Sequence, residues 1–194
     1  MPEKLRKTLH YQPNLFLMRN LESGPKDKFP EVVYVLLEIA KGSNQKYEVD
    51  KKSGLLFLDR DLFTVMVYPG DYGYIPQTLC ADGDPVDALV LVSGPHLPGT
   101  VIPARPIAIM KMEDEKGMDD KILCVPDEKI DPTFKDIKDL KDVPEATIQK
   151  IKHFFEHMKE LEPGKWVKVT DWHGAKEAKK FILDSQKIYQ EKNK

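Results

Sequence analysis

Asp82-Gly83-Asp84-Pro85-Val86-Asp87 places three carboxylates within six residues, directly before the apolar run Ala88-Leu89-Val90-Leu91-Val92. Carboxylates crowded in this way repel one another, and one of them normally takes a proton. A divalent cation removes that cost, and hard oxygen donors of this kind suit Mg²⁺ or Mn²⁺. On spacing alone, metal binding and an ordinary solvated acidic turn are equally good readings. An EF-hand is excluded, because its loop needs Gly at the sixth position and Glu at the twelfth. This chain has Asp87 and Ser93 there.

A second acidic segment is Glu113-Asp114-Glu115-Lys116-Gly117-Met118-Asp119-Asp120-Lys121. By itself it reads as an exposed hairpin tip. Lone charges also interrupt apolar segments. Glu38 lies in Val32-Val33-Tyr34-Val35-Leu36-Leu37-Glu38-Ile39, and Arg60 follows Leu56-Phe57-Leu58-Asp59. Lys46 and Glu48 share one face of a strand, because side chains alternate with period two. A buried charge is costly unless paired, so rim placement is the ordinary reading of each. Together these residues supply the cations and anions that a metal–phosphate complex requires.

Two motifs are set aside. His153-Phe154-Phe155-Glu156-His157 matches an inverted zinc-peptidase string. On a helical wheel, however, the two histidines lie opposite Ile148, Ile151, Phe155 and Met158, toward solvent. Gly94-Pro95-His96-Leu97-Pro98-Gly99-Thr100 lacks the lysine of a phosphate loop, and its prolines lack N–H donors, so it is a turn.

Short β-rich runs with turn residues between them occupy the segment that must position the carboxylates. Strands are expected at Val32–Ile39, Lys46–Val49, Gly54–Leu58, Leu62–Tyr68, Ala88–Val92, Val101–Met112 and Lys121–Val125. Helices are expected at Pro144–Leu161 and Ala175–Tyr189, with a strand at Trp166–Thr170 between them. Strands at this spacing suggest an antiparallel barrel with helices packed outside, an α+β fold. Residues 1–29 read as an N-terminal arm and 30–194 as one domain, which suits a chain of 194 residues. The formal net charge of −2 argues against a nucleic-acid partner. The two cysteines, Cys80 and Cys124, are read as reduced thiols. No apolar run reaches the roughly twenty residues of a membrane span, nor is there a signal-peptide stretch, so the expected location is the cytoplasm.

The Asp82–Asp87 string resembles the signature of the family I soluble inorganic pyrophosphatases. Lys46-Tyr47-Glu48, Asp59-Arg60, Tyr68-Pro69, Tyr72-Gly73-Tyr74-Ile75-Pro76, Lys111-Met112, Asp114-Glu115, Asp119, Lys121 and His153–His157 are similar to the family in order and spacing. The resemblance implies a five-stranded, oligonucleotide-binding-like barrel, a homohexamer, and hydrolysis of pyrophosphate to two phosphates. It implies three to four Mg²⁺ per site, with Mn²⁺ or Zn²⁺ as substitutes. Asp82, Asp87, Asp119, Asp114 and Glu48 are implied as metal ligands, and Asp84 as general base with Tyr72 beside it. Lys46, Arg60, Tyr72, Lys121 and Lys159 are implied to grip phosphate, with Glu38, Tyr68 and Glu115 supporting. The chain departs from the family at Met158, where the family usually has Tyr; a thioether donates no hydrogen bond. Rival readings are a non-catalytic binding module on a similar barrel, for which a basic groove with stacking aromatics would be needed, and a Mg²⁺-dependent hydrolase of nucleotides or other phosphoanhydrides.

Overall fold

The apolar strands close on themselves. The protein is described by a computed structural model covering residues 21–50 and 52–193. Among these residues β1 (Val33–Ile39), β4 (Asp71–Ile75), β5 (Val86–Val90), β8 (Lys121–Pro126) and β6 (Val101–Asp114) are neighbours in that order. β6 pairs again with β1, so the five form a ring. The short β7 (Gly117–Met118) and β9 (Val167–Gly174) extend β6, and β2 (Gln45–Val49) pairs with β3 (Leu56–Asp61) in a separate ribbon. Helices α1 (Glu145–His157) and α2 (Ala175–Lys192) follow. The five-stranded, helix-flanked α+β architecture expected from the sequence is therefore present.

Period two along the strands divides the core into two faces. Val86, Ala88 and Val90 of β5, with Ile122 and Cys124 of β8, pack with Ala178 and Ile182 of α2. The alternate residues Leu89, Leu123 and Val125 pack with Ile148, Ile151, Phe154 and Phe155 of α1. Asp87 shares a face with Leu89, and Lys121 with Leu123, so both polar residues fall on the α1 side. Gly73 lets β4 approach β1: a Cβ there would lie 2.0 Å from the Leu36 carbonyl oxygen.

Four expectations are corrected. Leu62–Tyr68 forms no strand; its N–H groups at Leu62 and Tyr68 reach only Asn44 O and Ser43 O. The alternation there is real, but Phe63, Val65 and Val67 point outward without a neighbouring strand. The strand lies instead at Asp71–Ile75, a stretch that the flanking Pro69-Gly70 and Pro76 made look like a turn. Finally, β5 and β8 pair parallel, because the chain crosses through β6 before returning. α1 also stops at His157, where the Met158 N–H donates to Phe154 O, not at Leu161. Of the arm expected at 1–29, residues 1–20 lie outside the described residues. Ser23 is buried, its carbonyl accepts from the Tyr34 N–H, and its hydroxyl accepts from Gln186.

Candidate active site

The parallel register sets Asp87 of β5 directly beside Lys121 of β8, and Tyr74 of β4 on its other side. Tyr72, one alternation away, reaches across, and its hydroxyl donates to Asp87 Oδ2 at 2.7 Å. The Lys121 ammonium donates to the same oxygen at 2.5 Å and also to Asp119 Oδ1. Burial alone would pull the Lys121 pKa down, but Asp87 and Asp119 outweigh it and the net shift is upward. Burial, with Asp87 and Asp114 nearby, pushes the Asp119 carboxyl up despite Lys121. Burial and the Asp87 charge also raise the Tyr72 hydroxyl, which therefore stays a donor.

The first acidic segment is a loop folded on itself before β5. Cys80 N–H donates to Asp84 O, Gly83 takes φ +90°, and the Asp84 N–H donates to Asp82 Oδ1 at 2.9 Å. Gly83 is needed there because other side chains rarely adopt that φ. Asp82 and Asp84 are left exposed at the rim of the cavity, and Asp87 is half-buried below them. The second acidic segment is the β6–β7 hairpin. Asp114 Oδ1 accepts from the Lys116 N–H, and Asp114 Oδ2 accepts from Lys159 Nζ at 2.9 Å. Burial acts to raise the Asp114 pKa, but Lys159 and Lys116 prevail and lower it.

The β2–β3 ribbon supplies a third wall. Lys46 and Arg60 are direct cross-strand partners, and a bulge next to them leaves Asp59 as the extra residue. Two cations opposite each other repel. They are held by Glu48 and Asp59 on Lys46, and by Asp59 and Glu162 on Arg60. Glu38 of β1 accepts from the Val49 N–H at 2.7 Å. Burial is the main reason its pKa rises to about 7, with Asp87 and Glu48 adding to it. Tyr68 is buried between the rings of Tyr72 and Phe154.

Every residue implied above as metal ligand, base, phosphate grip or support borders one cavity of about 1030 Å³. Sequence reading placed Asp59 in the resemblance without a role, and did not mark Glu162 or Lys165, the last donating to Glu115 Oε1 at 2.5 Å. Glu162 and Lys165 flank the Pro163-Gly164 turn, and nothing local marks them, since Glu162 meets Arg60 across 102 residues. His153 is exposed, and His157 turns its Nδ1 to His153 O at 2.8 Å, in keeping with a solvated pair.

Among the described residues no three ligating groups are drawn around one point. Asp87, Asp119 and Asp114 are each held by a lysine ammonium instead. Those ammonium groups occupy positions where the carboxylates demand positive charge, and the donors are hard oxygens. The residues therefore fit divalent ions of the Mg²⁺ type. Cys80 borders the same cavity, but burial, with Asp82 and Asp87, pushes its thiol up to about 12, so it is no nucleophile at neutral pH.

Glu38 yields a prediction. Between about pH 4.5 and 7 the folded protein keeps the Glu38 proton while the unfolded chain loses it. Stability therefore falls as pH rises through that window. In chelator, Glu38→Gln should gain melting temperature relative to the parent as pH rises across it. Parallel Tm–pH curves for the two proteins would contradict this.

The ring of strands and the shared carboxylate–lysine cavity define a class: five-stranded, helix-flanked barrels whose cavity presents carboxylates and ammonium groups together. Known proteins place the chain within it. The sequence profile of the inorganic pyrophosphatase family matches residues 35–190. An inorganic pyrophosphatase from Aquifex pyrophilus is 56% identical over 149 residues, which are 77% of this chain and 84% of that protein. One from Aeropyrum pernix is 54% identical over 162 residues, 84% of this chain and 92% of that one. The crystal structure of the inorganic pyrophosphatase from Thermus thermophilus superposes with a TM-score of 0.85 at 46% identity, covering 89% of this chain and 98% of that one. The chain belongs to the inorganic pyrophosphatase family.

Proposed function

We propose that the chain hydrolyses inorganic pyrophosphate to two orthophosphates with Mg²⁺ as the activating ion. The observation that carries this reading is the meeting of Asp82, Asp84, Asp87, Asp114 and Asp119 with Lys46, Arg60, Lys121 and Lys159 around one cavity. Asp82, Asp87 and Asp119 would hold activating Mg²⁺, Asp114 and Asp119 an ion that arrives with substrate, and Glu48 a further one through water. Bound divalent ions supply neutralisation of phosphate charge and a lowered pKa for the attacking water. Asp84, at the rim, would act as general base, its carboxylate taking a proton from the attacking water. Arg60, with its planar fork, and the point charges Lys46, Lys121 and Lys159 grip phosphate oxygens. The same cations offset the charge that develops on the departing phosphate. Tyr72 donates its one hydroxyl proton to Asp87 here and would turn it to a phosphate oxygen once substrate is bound, while Glu38, Tyr68 and Glu115 support these groups.

A phosphate-release assay with Mg²⁺ on pyrophosphate, ATP and tripolyphosphate tests the reading. Release from pyrophosphate well above the other two is expected. Comparable release from ATP would move the function to a general phosphoanhydride hydrolase, and no release from any would leave a binding module.

Met158 is buried, caps the end of α1 and borders the cavity beside Lys159. Its thioether offers phosphate no donor, so product binds more weakly than a tyrosine there would allow. Met158→Tyr should tighten product inhibition by phosphate roughly 3–10-fold, the worth of one hydrogen bond. An unchanged inhibition constant would count against it.

We also propose a cytoplasmic homohexamer, with residues 30–194 as the catalytic domain and 1–29 as an arm. Both cysteines are free thiols, as in reducing compartments. Phe57, Leu58, Phe63 and Val65 are each exposed apolar residues of the kind that self-association would cover. Light scattering should give a six-chain mass that Val65→Asp reduces; a one-chain mass for the parent overturns this.

A further inference from the structure

Asp120 sits between two residues that face the cavity and itself borders it, yet its carboxylate pairs with neither of them. Asp119 and Lys121 bind each other, whereas the Asp120 carboxylate takes the Lys111 ammonium on Oδ2 at 2.5 Å. This is the alternation of an extended chain entering β8. Lys111 belongs to the other face of β6. It lies 5.0 Å from the centre of the Phe181 ring of α2, while its neighbour Met112 packs on the α1 side. The Asp120 side chain is only 6% exposed, and its Oδ1 has no hydrogen-bond partner. A buried, half-satisfied carboxylate is costly, and no role assigned above requires it.

The turn that carries Asp119 is tied to β6 at two consecutive residues. The Asp119 N–H donates to Met112 O at 2.9 Å, and the Asp120 side chain binds Lys111. Lys111 is itself fixed: its carbonyl accepts from the Thr170 hydroxyl of β9, and Phe181 flanks its ammonium. Strand pairing holds the residues on either side, Met118 opposite Glu113 and Lys121 opposite Met110, so Asp119 and Asp120 are the link between two ladders. The charged tie to Lys111 fixes the Asp120 side of that link, and so sets where the Asp119 carboxylate and its Lys121 partner point.

We propose that Asp120, pinned by Lys111, is a positioning residue for the hydrolytic reaction: it aims Asp119 and Lys121 into the cavity from behind. The inference rests on the pyrophosphatase reading for its kinetic consequence but not for its effect on cation binding. Groups that orient metal ligands from outside typically change affinity or activity by about 10–100-fold when removed.

The test uses the full chain with Asp120→Ala, Lys111→Met and the double variant Lys111→Met/Asp120→Leu. Mg²⁺ affinity is measured by calorimetry without substrate, together with kcat, KM for Mg–pyrophosphate and Tm. Asp120→Ala should bind Mg²⁺ about tenfold more weakly and lose about tenfold in kcat, with KM changed less than about twofold. Lys111→Met should lose Tm, because it strands a buried charge. The double variant should recover much of that Tm, since removing both partners of a buried pair is well tolerated, while its Mg²⁺ affinity and kcat stay low. Recovery of affinity along with Tm would show a merely structural pair and overturn the proposal, as would an unchanged affinity in Asp120→Ala. A parent that binds Mg²⁺ but does not hydrolyse pyrophosphate would defeat the functional reading alone; the calorimetric arm would still decide the role of Asp120.

Discussion

Asp84→Asn is expected to lower turnover of pyrophosphate on the order of 10²–10⁴-fold while leaving the circular dichroism spectrum and Tm unchanged. The loss is large because a carboxamide accepts no proton from the attacking water. The fold is spared because Asp84 is exposed, and the turn is held by its backbone: its carbonyl accepts from Cys80 N–H and its N–H donates to Asp82. Asn keeps the size of the side chain and both backbone bonds. Mg²⁺ affinity, measured separately, should move much less than kcat. Turnover within about threefold of the parent would assign the base elsewhere, because general-base removal has a far larger effect.

Lys121→Met should have the largest effect on both activity and stability. The ammonium is buried between Asp87 and Asp119, and methionine removes it while keeping most of the volume. Two carboxylates are then left facing each other in a site where burial already raises the Asp119 pKa. A stranded buried charge costs about 3–5 kcal/mol. The lower end applies, because the Asp87 and Asp119 side chains are 31% and 27% exposed. For a chain of this size about 3 kcal/mol corresponds to a fall of roughly 6–12 °C in Tm. The measurement is made in chelator. Adding Mg²⁺ should restore most of the loss, because a divalent ion supplies the missing charge, but hydrolysis should stay low without the lysine on phosphate. A metal-free Tm within about 2 °C of the parent would mean that Lys121 does not balance these carboxylates.

Much of the site was legible before folding. Asp82, Asp84 and Asp87 stand out because three carboxylates in six residues need a reason, and Gly83 between them marks a tight turn. Lys46 and Glu48 were placed on one face by period two alone, and their side chains do meet. The partners of those charges were not legible. Arg60 finds Glu162, and Glu115 finds Lys165, across 102 and 50 residues. Asp120 looked like one more acid in a hairpin tip until Lys111 was found behind it. Tyr72 was read from a motif, but the strand that carries it was not, because Pro and Gly on both sides imitate turn signals. Leu62–Tyr68 failed in the opposite way: alternation makes a segment fit for a sheet, yet a strand exists only where another strand offers its N–H and C=O groups.

By itself the sequence determined most of the turns, the helix ends to within a few residues, the α+β composition and the pool of acids and bases. All of these follow from forces between residues close in the chain: backbone sterics, side-chain period and capping. Only the tertiary structure decided that β5 and β8 run parallel, that Asp87 therefore lies beside Lys121, and that both acidic segments open onto one cavity. Closing the ring from β6 back to β1 brings together groups far apart in the chain. The energy of those contacts depends on burial and on the opposing charge, and neither exists until the ring has formed.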